Sequence, residues 1–117
     1  MTDSLLLMLL LIGIAAYLIA GLMPFTLDLA REPRVYLGFK APFNATLNYL
    51  CFVPLGVLIA NLSFVERPLL AAGLVCGALS LMVESLQIFI PGRFSTLSDW
   101  VLNTSGALTG AWLVARL

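Results

Sequence analysis

Four apolar runs, residues 5–23, 47–65, 69–90 and 100–117, divide this 117-residue chain, and each is 18 residues or longer. At about 1.5 Å of helical rise per residue, such a run matches the roughly 30 Å hydrocarbon thickness of a bilayer. Composition points the same way, with 62% hydrophobic and 10% charged residues and a mean hydropathy of +1.07, where soluble domains carry about 25% charged residues. The expected fold is all-α, a four-helix transmembrane bundle in a single domain over 1–117, with one longer loop between helices one and two. The six basic and six acidic residues cancel. No basic block exists that could neutralise a row of phosphates, so nucleic acid is excluded as a partner.

The breaks between runs carry the usual punctuation. Pro24 ends the first run, Pro68 opens the third and Pro91-Gly92 closes it. Pro54 falls inside the second run, where a kink is expected rather than a break, because neighbouring helices can re-satisfy the freed carbonyl. Ser98 and Asp99 are N-cap types at the head of the fourth run, with a carboxylate favoured there by the helix dipole. The connection 25–46 holds Asp28, Arg31, Glu32, Arg34 and Lys40 among Pro33, Gly38 and Pro42, a mixture that suits an interfacial helix or an irregular loop. No Lys or Arg precedes the first run, so it reads as a retained membrane helix rather than a signal peptide. Arg31, Arg34, Lys40 and Arg93 lie in the first and third loops, against Arg67 and Arg116 on the other side, which nominally places those two loops in the cytoplasm. Cys51 and Cys76 differ in depth by roughly 13 Å at helical rise, beyond the span of one disulfide.

Glu84 is the anomaly in this pattern, a carboxylate inside the third run. Ionised carboxylates in hydrocarbon cost several kcal/mol and mark bundle interiors and functional sites. From that depth Glu84 is too short to reach the headgroups, so it needs a partner or a proton. Ser80, Glu84 and Gln87 share a helical face, while Arg93, Asp99 and Asn103 follow in sequence and Asn48 enters from the same side on helix two. Each has an ordinary reading too. Asparagines act as interhelical glue, Ser80 bonds back to its own helix, Gln87 snorkels, and Arg93 with Asp99 forms an exposed pair of little energetic weight. Gly106 and Gly110 continue the Asn103 stripe, and Gly73 and Gly77 the Glu84 stripe, so helices three and four are expected to pack closely along them.

The run Asn48 to Gly56 resembles the N-x-x-x-F-x-P-L-G motif of VanZ-like membrane proteins. Ser80, Glu84, Gln87, Arg93, Asp99, Asn103, Gly106 and Gly110 resemble that family's second pattern, S-x-x-x-E-x-x-Q, then R, then D-x-x-x-N-x-x-G. The resemblance covers residues 48–110. It implies a small multi-pass protein of the bacterial inner membrane, in a family named for lowered teicoplanin susceptibility, and it allows the motif side to face outward, toward cell-wall precursors.

Three functions compete. In the first, the protein binds or remodels a lipid-linked or glycan-like amphipathic molecule, such as a cell-wall precursor, at one membrane face. Glu84, Arg93 and Asp99 give charged contacts there, and Asn48, Gln87 and Asn103 orient hydroxyls or amides. In the second, Glu84 and Asp99 are the acid/base pair of an enzyme on a lipid-borne substrate. In the third, Glu84 binds proton and substrate alternately in a small exporter. With no histidine and no metal-ligand spacing, no cofactor or metal is expected. Membrane lipids are the expected surroundings in every case.

Overall fold

The computed structural model describes residues 2–23, 35–36, 42–90 and 95–116, with the side chains of 35–36, 42–45 and 95 left aside. It is all-α, with four helices: α1 (Asp3–Leu22), α2 (Pro42–Ala60), α3 (Pro68–Gln87) and α4 (Leu97–Arg116). Each starts for a local reason. The Thr2 hydroxyl accepts from the Leu5 N–H at the head of α1, and Pro68 sits in the first turn of α3, where its missing N–H costs nothing. The Thr96 hydroxyl accepts from the Asp99 N–H at 3.2 Å, so Thr96 caps α4. The expected caps Ser98 and Asp99 instead lie inside the first turn. Helix α2 runs uninterrupted through Pro54 and begins at Pro42, five residues ahead of the apolar run. A two-residue parallel ladder, β1 (Val35–Tyr36) with β2 (Ser95–Thr96), joins the first and third connections.

Helix α4 packs most extensively on α2, then on α3, while α1 touches α2 and α3 lightly. The reason is steric. A Cβ placed on Gly106 would fall on the Tyr49 carbonyl oxygen, one on Gly110 on the Val53 carbonyl, and one on Gly56 on the Ala107 carbonyl. The glycine stripe of α4 therefore seats α2, backbone against backbone, and not α3 as expected. Two stripes of small residues were visible and paired with each other; the third, Gly56 with its neighbours, completes the closer match. Helix α3 meets α4 less closely, with Gly73 near Leu108 and Gly77 near Thr104, and with the Trp100 indole N–H donating to the Gly77 carbonyl at 3.0 Å.

The molecule is dressed the opposite way from a soluble domain. Leu11, Ile12, Leu74 and Leu81 are more than half exposed, whereas Ser80, Asp99 and Asn103 are almost fully buried. Helices α1 and α3, 20 residues each, are long and apolar enough to cross a membrane; the apolar part of α2, Thr46–Ala60, is shorter. Helix α4 presents small and polar residues to its neighbours, its buried face being Ser98, Asp99, Asn103, Gly106, Ala107, Gly110 and Ala111. Beneath the polar end lies a core of Phe52, Leu55, Ile59, Ala72, Cys76, Ala107 and Ala111, with Leu10 from α1.

Candidate functional site

The chain order brings the end of α1, the start of α2, the end of α3 and the start of α4 to one end of the bundle, and the polar residues gather there. Asp99, in the first turn of α4, accepts a hydrogen bond from the Asn48 amide at 2.8 Å. Glu84 lies in the last turn of α3, facing the unfavourable end of its own helix dipole but the favourable start of α4; its carboxylate accepts the Thr96 backbone N–H at 3.2 Å. In a capping box the third residue of the helix takes that N–H. Here Glu84 takes it, and Asp99 in the third position is left to hold α2 through Asn48. One carboxylate thus ties α3 to α4 and the other ties α2 to α4.

Two amides complete the arrangement. Asn103 donates to the Ser80 hydroxyl at 2.8 Å and to the Tyr17 hydroxyl at 3.4 Å. Ser80, expected to bond back to its own helix, receives Asn103 across the α3–α4 interface. Gln87 does not snorkel: it is 6% exposed and donates to the Gly21 carbonyl of α1 at 2.8 Å. Gln87 Oε1 and Asn103 Oδ1 are buried without a hydrogen-bond partner among the described residues. A buried acceptor left unsatisfied costs about 1–3 kcal/mol, so these oxygens weaken the fold as it stands.

Above the amides opens a cavity of about 1080 Å³ between α1 and α2. Its walls are apolar, with Leu9, Ile12 and Ala16 from α1 and Leu47, Pro54, Val57 and Leu58 from α2; Asn48, Glu84, Gln87, Asp99 and Asn103 line its polar end. Five of the six residues singled out from sequence thus border one space. Arg93 lies outside the described residues. Tyr17 was missed, because its helix carries no charge and offers no pattern; it lines the cavity, stacks edge-on against Phe52 at 4.8 Å and meets Asn103. Thr96 was missed as well, though a threonine three residues before Asp99 is a readable capping signal. Among the described residues no three His, Cys, Asp or Glu side chains converge.

A family model described as VanZ/LLP1 matches residues 5–117, which extends the likeness from the two motifs to the first helix, where Tyr17 sits. No curated protein and no solved structure matches the chain.

Proposed function

This chain belongs to the VanZ/LLP1 family, and from that premise we propose that it is a multi-pass protein of the bacterial inner membrane whose α1–α2 cavity binds an amphipathic, lipid-linked molecule of the cell envelope. The cavity carries the reading, because its walls suit an acyl or prenyl chain and its end suits a polar head. Large apolar residues on the outside and polar ones within support immersion in lipid. In this arrangement all four helices cross, α4 tolerating its polar face because α2 and α3 cover it. Asn48, Gln87 and Asn103, with the carboxylates of Glu84 and Asp99, meet the head group. A lipid-linked cell-wall precursor is one molecule of this description, and an altered response to teicoplanin is the consequence expected where it is the ligand.

The catalytic and exporter alternatives gain nothing from this geometry, since Glu84 and Asp99 are each engaged in holding a neighbouring helix.

Mass spectrometry of the purified protein tests the proposal. The wild type should retain an amphipathic molecule through delipidation, and Ala16→Trp, which fills the cavity from a wall position, should lose it. Retention by both proteins, or by neither, sinks the assignment. For the topology, cysteines at Thr2 and Arg116 should label from the same side of the membrane; labelling from opposite sides would exclude an even number of crossings.

A further inference from the structure

Gln87 and Asn103 share an arrangement that packing alone does not account for. Each spends its NH2 group on neighbouring helices, Gln87 on the Gly21 carbonyl of α1 and Asn103 on the Ser80 hydroxyl of α3 and, at 3.4 Å, on the Tyr17 hydroxyl of α1. Each keeps its oxygen buried and without a partner among the described residues, beside the cavity that both residues line. Gln87 is 6% exposed and Asn103 1%. A methionine or leucine in either place would fill similar space and remove the unpartnered oxygen, leaving the Gly21 carbonyl or the Ser80 hydroxyl without its amide donor. Both groups lack the same thing, a donor. Polar groups that recognise a ligand discriminate sharply between a head that satisfies them and one that leaves them unpaired.

We propose that the α1–α2 cavity selects, among membrane lipids, those whose head group carries N–H or O–H donors, and that Gln87 and Asn103 are the residues that select. The inference rests on the reading of the cavity as an amphipathic-ligand site and adds the chemistry of the head. The lipid enters sideways from the bilayer between α1 and α2, because α1 is the most lightly packed helix of the bundle. Its other clasp, Asp3 with Ser63, is at the far end. The two oxygens are covered while α1 is closed, and they become available as the amides turn from α1 to the head. Recognition and opening are therefore one event, with each amide exchanging a helix contact for a ligand contact.

The test uses the full chain in vesicles of equimolar phosphatidylethanolamine and phosphatidylcholine with identical acyl chains. The two heads carry the same net charge, but only the first has N–H donors, so charge does not distinguish them. Lipid retained after extraction into detergent is quantified by mass spectrometry. Phosphatidylethanolamine should be enriched about tenfold over phosphatidylcholine, the ratio expected when one buried acceptor gains a donor. Dimethylated phosphatidylethanolamine should fall between. In Gln87→Met and Asn103→Leu the enrichment should shrink toward the vesicle ratio, a change in lipid ratio that a merely structural role for the amides would not produce. Retention of both lipids in their vesicle ratio by the wild type overturns this inference and leaves the cavity assignment standing. Retention of no lipid at all overturns both. Displacement of the lipid by free ethanolamine at matched concentration overturns sideways entry from the bilayer, because the head alone would then suffice.

Discussion

The α2–α4 interface and the α1–α2 cleft sit side by side in a small bundle and follow opposite rules. Between α2 and α4, Gly56, Gly106 and Gly110 remove side chains until carbonyl oxygens of one helix rest where Cβ atoms of the other would be. Dispersion at that range is the main force holding helices together in lipid, where burial of apolar surface gives no advantage. Between α1 and α2 the surfaces part around a cavity of about 1080 Å³, and α1 is held by the Gln87–Gly21, Asn103–Tyr17 and Asp3–Ser63 hydrogen bonds together with Leu10 in the core and the Tyr17–Phe52 contact. The first interface can only be maintained or broken. The second can be exchanged, since a hydrogen bond to a helix can be replaced by one to a ligand at little net cost. The contrast assigns scaffold to α2, α3 and α4 and adaptability to α1.

The largest expected effect breaks the scaffold side. Gly106→Leu drives a side chain into the Tyr49 carbonyl and the Phe52 Cβ, so it should destabilise the bundle by about 3 kcal/mol or more and separate α4 from α2. On the adaptable side Gly13→Ala supplies the control. Its new Cβ would come within 2.8 Å of only the Leu55 Cδ2 atom, the end of a side chain that borders the cavity and can turn into it. Alanine also favours the helix by roughly 0.5 kcal/mol. Detergent melting should show a collapse for the first variant and little change for the second; equal losses would erase the distinction between the interfaces.

Next in size is the polar end, where Asp99→Ala removes the acceptor of the Asn48 amide. The expected loss is about 2 kcal/mol, as for a hydrogen bond to a charged group. Asn48→Ala should cost less once Asp99 is gone than it does in the wild type, and a double-mutant cycle of melting midpoints reads the difference. Additive losses would mean that the two side chains do not hold α2 to α4 together.

Smaller still, Glu84→Gln keeps an oxygen for the Thr96 N–H and should change stability by about 1 kcal/mol or less while abolishing retention of the bound lipid. Infrared spectra of wild type and variant identify the carboxyl band that belongs to Glu84. A variant that retains lipid as the wild type does would reduce Glu84 to a tie between α3 and α4.

Much of this arrangement was legible in sequence, and what escaped has physical causes. Helix number follows from the four apolar runs and from proline and glycine, whereas α2 begins five residues and α4 three residues ahead of its run. Buried polar residues announce themselves against an apolar background, which is how Asn48, Glu84, Gln87, Asp99 and Asn103 stood out. Partner choice was not legible. Gly106 and Gly110 mark a close approach without saying to which helix, and the glycines of α3 at matching spacing are as good a complement in sequence as Gly56 of α2, which packs more tightly. Tyr17 was silent because one tyrosine on a greasy helix differs little from a membrane-interface anchor; only the fold puts it against Phe52 and Asn103.

The smallest expected effect is also the sharpest test of the comparison, because two opposing contributions meet at one side chain. Gln87→Met leaves the Gly21 carbonyl without its amide donor, a loss of about 1–3 kcal/mol, and removes an oxygen buried without a partner among the described residues, a relief of about the same size. Methionine fills similar volume and adapts to an irregular site. The two offset each other, so the melting temperature should stay close to the wild type's although a buried side chain with a hydrogen bond has been deleted. A buried amide whose removal leaves stability unchanged is what is expected where an interaction with something outside the fold maintains it. A clear drop in melting temperature would show instead that Gln87 serves the bundle, and the boundary between scaffold and adaptable helix would then have to be drawn on the other side of α1.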